Sequence, residues 1–377
     1  MKTLQLTKFY PPVFGGIETA TYELAEGLVS RGHPTDVLCA NTERPTVRDR
    51  FGPVAVTRAG SYAKLLSTSM APALITELAK VRKQYEIVHV HLPNPMANVA
   101  LQLARPSAKV VLHWHSDIIS QTRALKLYEP LQASMLRRAD AIIATSPPYA
   151  DASPWLDAYR DKVHVVPLGI HPQRLRQPAD ALIAARAALR RRTGERPIIF
   201  SIGRMATYKG FDILIEAARL LDPETLVLVG GGGELLSAHQ RKVQELGLAK
   251  RVIFTGRLSD LDVAAHMAEA CVFCLPSTNR AEAFGMVLLE AMLAGLPIVA
   301  TQITGSGVPW VNTHGETGLN VAASDPQELA AALRQLVADP TLARRMGAAG
   351  RQRFESRFTA DRMVEETIEV YRHVLSA

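Results

Sequence analysis

The sequence predicts an α/β protein of two tandem domains, each a parallel sheet with helices on both faces. Three observations predict it. The chain has 377 residues, more than one domain usually holds. Short apolar runs alternate with longer amphipathic stretches, the pattern of successive βα units. The alternation is interrupted once, over residues 167–196, where Pro, Gly, Gln and Arg are dense, and then resumes.

Taken in order, residues 3–9 read as a first buried strand and 16–31 as the helix after it. Strands follow at 35–39, 87–91, 110–113, 141–144 and 163–166, each a short apolar run, with helices at 70–84 and 125–138. The interrupted stretch carries one lead-in helix at 179–191. The second series has strands at 198–202, 225–229, 252–255, 272–275 and 297–300. Between them lie helices at 210–220, 235–245, 260–270 and 285–294. These boundaries predict a first Rossmann-like domain over residues 1–172 and a second over 173–358. A final helix, 359–377, is free to return across the linker to the first domain. Open α/β sheets bind ligands at the carboxyl ends of their strands, so two such lobes facing each other would line one cleft.

An apolar fraction of 47% with 21% charged residues fits a soluble globular protein with a full core. No apolar run approaches the roughly 18 residues of a membrane span. The N-terminus reaches Pro11-Pro12 too soon for a signal peptide, so the expected location is the cytoplasm. Of three cysteines, Cys271 and Cys274 have CxxC spacing, but no second pair follows and the segment reads as a strand. The net charge of +7 is concentrated in the first 172 residues, where 19 basic residues face 14 acidic ones. That half would suit an anionic lipid surface or a phosphorylated acceptor. No zinc-finger spacing or aromatic-basic motif points to nucleic acid.

Four constellations carry chemistry. Phe9-Tyr-Pro-Pro-Val-Phe-Gly15-Gly16-Ile-Glu18 joins the first strand to the first helix, and a glycine pair there brings backbone N–H groups close to an anion. Val110-Val-Leu-His113-Trp-His115-Ser-Asp117 ends a strand, with His113 and His115 on one face and His89 and His91 ending the strand before it. Asp117 reads as a cap for the segment that follows. Phe200-Ser-Ile-Gly-Arg204-Met-Ala-Thr-Tyr-Lys209-Gly210 sets two cations beside a helix N-terminus, the makings of a diphosphate site. In Arg280-Ala-Glu282-Ala-Phe284-Gly285-Met286-Val-Leu-Leu-Glu290, Glu282 stands at a strand-to-helix turn and Glu290 on an otherwise apolar helix. A carboxylate in such a place needs a partner, and sugar or ribose hydroxyls would serve. Gly285 would let the backbone approach a ligand.

Two further features read as structural. Gly230-Gly-Gly-Gly233 lacks the acidic partner on the next strand that a dinucleotide fingerprint needs, so a close turn beside a nucleotide fits better than NAD binding. Asp260-Leu-Asp262 opens a helix, so capping explains it better than a metal.

In this order the motifs resemble the retaining glycosyltransferases of family 4, which have the GT-B fold of two Rossmann-like domains. The resemblance spans nearly the whole chain. It implies that the backbone of Gly15-Gly16 meets the donor's distal phosphate and that His115 contacts the donor sugar. It implies that Arg204 and Lys209 neutralise the leaving diphosphate. Glu282 and the backbone of Phe284, Gly285 and Met286 would hold sugar hydroxyls and phosphate, and Glu290 the ribose. It further implies a nucleotide-sugar donor, retention of anomeric configuration, and no metal ion or other cofactor. The stretches at residues 276–285 and 305–312 are similar to those of O-antigen mannosyl- and D-rhamnosyltransferases, which use GDP-sugars and act on lipid-linked saccharides, here expected to be polyprenyl-diphosphate-linked, at the inner face of the cytoplasmic membrane. A UDP-sugar-dependent member of the family, a GT-B nucleotide-sugar epimerase and a non-catalytic scaffold remain alternatives.

Overall fold

The computed structural model describes every residue except 14, 66, 67, 120 and 121, and every side chain except those and 64, 65, 68 and 122–127. Position 14 of the glycine-loop motif therefore lies outside the described residues. The chain divides into two compact units: Met1–His171 with Thr359–Ala377, and Pro172–Phe358.

The first unit has strands β1 (Thr3–Leu6), β2 (Thr35–Ala40), β3 (Val47–Phe51), β4 (Val54–Ala59), β5 (Ala63–Leu65), β6 (Thr68–Met70), β7 (Ile87–Leu92), β8 (Lys109–Trp114), β9 (Ala141–Ala144) and β10 (Val163–Val165). Its helices are α1 (Gly16–Ser30), α2 (Ala73–Val81), α3 (Pro95–Ala104), α4 (Thr122–Arg138) and α5 (Pro147–Ala152). Eight strands form one sheet in the order β10-β9-β8-β7-β1-β2-β4-β3, parallel except that β3 runs antiparallel to β4. β1, β7 and β9 are buried throughout; β9 reads as an unbroken apolar run, while β1 and β7 carry Gln5, His89 and His91 among their apolar residues.

Three departures from the sequence reading have physical reasons. β3 is an exposed edge strand carrying Arg48, Asp49 and Arg50, so no apolar alternation marked it. The helix expected from residue 70 starts at Ala73, because Met70 pairs with Ala63 in the β5–β6 hairpin. α3 was not foreseen, although its start signal was present: the Asn94 side chain accepts the Ala97 N–H at 3.1 Å and Pro95 opens the helix.

The second unit has strands β11 (Ile198–Ile202), β12 (Leu226–Gly230), β13 (Val252–Gly256), β14 (Val272–Leu275), β15 (Ile298–Gln302) and β16 (Gly318–Ala322). Its helices are α6 (Ala179–Thr193), α7 (Phe211–Arg219), α8 (Leu236–Glu245), α9 (Asp260–Glu269), α10 (Met286–Leu293), α11 (Val308–Val311), α12 (Pro326–Ala338) and α13 (Pro340–Arg357). The sheet is parallel throughout, in the order β13-β12-β11-β14-β15-β16. Counted from its own first strand this is 3-2-1-4-5-6, the doubly wound Rossmann order. The lead-in helix α6 is tied to α9 by Arg186 and Arg190, which both donate to Glu269 at 2.5 Å. Burial pushes the Glu269 carboxyl up, but the two guanidinium groups outweigh it and hold it below its usual value.

The last helix, α14 (Ala360–Ser376), belongs to the first unit. Val364 packs so closely on Gly27 of α1 that a Cβ there would lie 2.4 Å from Val364 Cγ2. Arg31 pairs with Asp361 at 2.7 Å, and Tyr371 is fully buried.

Candidate active site

In the second unit the strand order reverses between β11 and β14, and a crevice opens at the carboxyl ends of the strands on either side of such a switch point. The loop leaving β11 carries Arg204 and Lys209; the loop leaving β14 carries Glu282. The two loops are stitched together. Thr278 N–H donates to the Tyr208 carbonyl at 2.7 Å. Gly210 has φ +65°, and a Cβ there would sit 2.0 Å from the Pro276 carbonyl oxygen, so only glycine permits this approach.

The glycine run after β12 holds the same loop from its other side. Gly203 N–H donates to Gly230 O at 3.1 Å, and Met205 N–H to Gly232 O at 2.9 Å. A Cβ on Gly231 would lie 2.0 Å from Gly203 O. The run therefore seats the Arg204 loop by backbone contact.

Lys209 and Glu282 meet as a buried pair, Nζ to Oε2 at 2.5 Å, with about a tenth of each side chain exposed (11% and 10%). Ser277 donates to the same carboxylate oxygen at 2.9 Å. Burial works to lower the Lys209 pKa, but the Glu282 carboxylate outweighs it, and the ammonium is held above its usual value. Arg204 stands exposed on the same loop, and its like charge pushes against Lys209. The Ser306 hydroxyl donates to the Glu282 backbone oxygen at 2.5 Å, fixing the turn. A buried ion pair and one exposed cation thus gather at the ends of β11 and β14.

Helix α10 begins only at Met286, so Glu282 lies in the preceding turn and Glu290 alone is on the helix. Gly285 caps it at φ +81°, a conformation that calls for glycine irrespective of any ligand. The Phe284 ring is buried against Trp310 and Phe358, which leaves its backbone as the part available to a ligand. Glu290 has a protein partner: Arg174 Nε lies 3.3 Å from its carboxylate, and Arg174 Nη2 lies 3.7 Å from Asp260. Burial raises the Glu290 pKa, and Arg174 opposes the rise. Arg174 and Ser277 were missed in the sequence, because neither a Pro-rich linker nor a Ser-Thr-Asn turn announces a charge partner.

In the first unit, Gly15 is the extended N-cap of α1, Gly16 is its first residue, and both are exposed. His115 follows β8 and is buried, with His113 stacked on it at 4.0 Å between ring centroids. His89 and His91 extend the stack, so four imidazoles share one face of the sheet. Burial holds all four below the usual histidine value, with neighbouring imidazoles adding to the effect at His89, His91 and His115, and His113 falls to about 3. Nitrogens of His89, His91 and His113 lie within 4.8 Å of one another. The rings are stacked, so their in-plane lone pairs run side by side, and His91 already spends both nitrogens on His115 and Gln5.

Asp117 is not a helix cap. It accepts the Trp114 indole N–H at 2.8 Å and the Ser153 hydroxyl at 2.7 Å, bracing the end of β8. Asp262 completes a capping box with Ser259, the structural reading of that acidic pair. Cys271 donates its thiol to Ile198 O at 3.1 Å, Cys274 is buried within β14, and both are free. Among the described residues no helix is long and apolar enough to cross a membrane.

Known proteins agree with this architecture. Residues 14–174 match the family described as Glycosyltransferase Family 4, and residues 186–353 match Glycosyl transferases group 1. The chain is 32% identical, over all of both chains, to the O-antigen chain mannosyltransferase C of Escherichia coli. It is 33% identical to a D-rhamnosyltransferase of Pseudomonas aeruginosa, over 96% of this chain and 93% of that protein. The structure of a sucrose-phosphate synthase from Thermosynechococcus elongatus superposes over all of both chains with a TM-score of 0.81 at 23% identity, a likeness of fold. With both halves matched and full-length relatives at about a third identity, the chain is a GT-B glycosyltransferase belonging to family 4.

Proposed function

We propose that the chain transfers mannose or D-rhamnose from a GDP-sugar to a polyprenyl-diphosphate-linked saccharide, with retention and without a metal ion. The observation that carries the reading is the buried Lys209–Glu282 pair beside Arg204, at the strand ends where an α/β sheet takes its ligand. Breaking the glycosyl–phosphate bond places negative charge on the departing diphosphate and positive charge on the sugar ring. Lys209, held in place by Glu282, together with Arg204 would stabilise that departure, the task a metal ion has elsewhere. The acceptor oxygen bonds to the anomeric carbon on the face the phosphate leaves, and the acceptor's proton passes to the departing phosphate oxygen. Gly15, Gly16 and His115 of the first unit, and Phe284, Gly285, Met286 and Glu290 of the second, would hold the donor as the family resemblance implies.

The relatives named for mannosyl and D-rhamnosyl transfer support the donor class. The +5 charge of residues 1–172 supports an anionic, diphospholipid-bearing surface, and a peripheral place on the inner face of the cytoplasmic membrane. A thermal-shift panel of GDP, UDP, ADP and dTDP tests the donor. GDP at a hundred times its Kd adds about 2.7 kcal/mol and raises the melting temperature by several degrees. A shift with UDP alone, or transfer from UDP-sugars alone in a radiolabelled screen, would overturn the donor assignment.

Glu290→Gln is expected to raise KM for the donor about tenfold and leave kcat within a few-fold, since ribose hydroxyls are bound equally in ground and transition states. Equal losses in kcat and kcat/KM would instead place Glu290 at the reacting centre.

A further inference from the structure

Gln5 sits in β1 directly opposite His89 of β7. Its amide nitrogen donates to the Tyr371 hydroxyl at 3.2 Å, and its amide oxygen faces Nε2 of His91 at 3.0 Å. Nδ1 of His91 faces Nε2 of His115 at 2.9 Å. The Tyr371 hydroxyl, from helix α14, also contacts Nδ1 of His89. All these side chains are buried, so the chain of contacts is shielded from water.

The direction of each hydrogen bond follows from Gln5. An amide oxygen only accepts, so Nε2 of His91 carries that ring's proton. A neutral imidazole carries one proton, so Nδ1 of His91 accepts. Its donor is then Nε2–H of His115, and Nδ1 of His115 is left with a bare lone pair. That nitrogen is buried and makes no hydrogen bond among the described residues. The Tyr371 hydroxyl sets the direction when it gives its own proton to Nδ1 of His89, because it then has only a lone pair left for Gln5 and accepts from the NH2 on the side away from His91. Without it the amide is free to turn over. An NH2 facing His91 reverses every proton in the chain and makes Nδ1 of His115 a donor.

We propose that Gln5 and Tyr371 are positioning residues which, through His91, fix His115 as the Nε2–H tautomer and so keep its Nδ1 a hydrogen-bond acceptor. The proposal rests on His115 being the sugar-contacting histidine. It gives the returning helix α14 a part in the chemistry of a residue more than 250 positions earlier in the chain.

The full chain labelled with 15N-histidine tests it by long-range proton–nitrogen spectra without substrate, the His115 signals being assigned by their loss in His115→Ala. The wild type should show His115 protonated on Nε2 and bare on Nδ1. Tyr371→Phe, which keeps the ring, and Gln5→Leu should each populate the Nδ1–H form. Each should lower kcat/KM about tenfold, the scale of one buried hydrogen bond, while affinity for free GDP stays within twofold. If Gln5→Leu does not fold, Tyr371→Phe carries the test. Nδ1–H on His115 in the wild type, or a tautomer unchanged in the folded variants, overturns the proposal even if the enzyme is active. A tautomer that shifts as expected in a protein that turns over no nucleotide sugar upholds the relay and removes the functional reading instead.

Discussion

Replacing Lys209 by methionine is expected to lower glycosyl transfer by about a thousandfold, the scale of removing one fixed charge from a developing anion. Methionine keeps much of the side-chain volume, so the loss reports charge. The same change leaves the Glu282 carboxylate, about 10% exposed, with the Ser277 hydroxyl in place of an ion pair. Breaking a buried pair from one side costs about 3–5 kcal/mol, because the remaining charge is stranded. Chemical unfolding of the second unit should show that loss. Lys209→Met combined with Glu282→Gln should recover most of the stability and none of the transfer, since it removes the stranded charge without restoring the cation. That pattern separates the two roles of the pair. Transfer within tenfold of wild type in folded Lys209→Met would show that the ammonium is not at the reacting diphosphate.

Lowering the pH from 7.5 to 5.5 is expected to destabilise the first unit by about 5 kcal/mol through the four stacked histidines. Their folded pKa values all lie below the ordinary 6.5, chiefly through burial. The unfolded chain therefore binds protons in this window and the folded chain does not. Stability from this source is complete above about pH 6.5 and is lost as the pH falls below it, at about 1.4 kcal/mol per histidine by pH 5.5. Hydrogen exchange on the amides of β7 and β8, corrected for intrinsic rates, reads this directly: protection should fall about 5,000-fold. Protection unchanged across the two pH values would mean that the stack carries protons in the folded state.

The architecture was legible because parallel strands buried on both faces leave unbroken apolar runs. β9, β11 and β14 begin and end where those runs do. β3 was hidden because its charged residues face water at a sheet edge, and the β5–β6 hairpin because its strands are three residues long. The candidate site was legible where chemistry concentrates in short motifs: a cation pair on one loop, and an acid in an apolar helix. Its supports were not. The glycine run after β12 read as a turn beside a nucleotide, and its contacts show it seating the Arg204 loop.

By itself the sequence determined the α/β class, the residues that belong to strand ends, and the family. Those depend on local periodicity and on short runs of adjacent residues, which one dimension records in full. Only the tertiary structure decided who pairs with whom. Glu290 needed a partner, and Arg174, from the linker, supplies it at a distance of 116 positions. His115 needed a proton on one nitrogen, and the groups that set it, Gln5 and Tyr371, lie 366 positions apart. A buried charge or imidazole makes its demand locally, but the group that answers it is whichever one packing brings within hydrogen-bonding distance, and no local pattern encodes that.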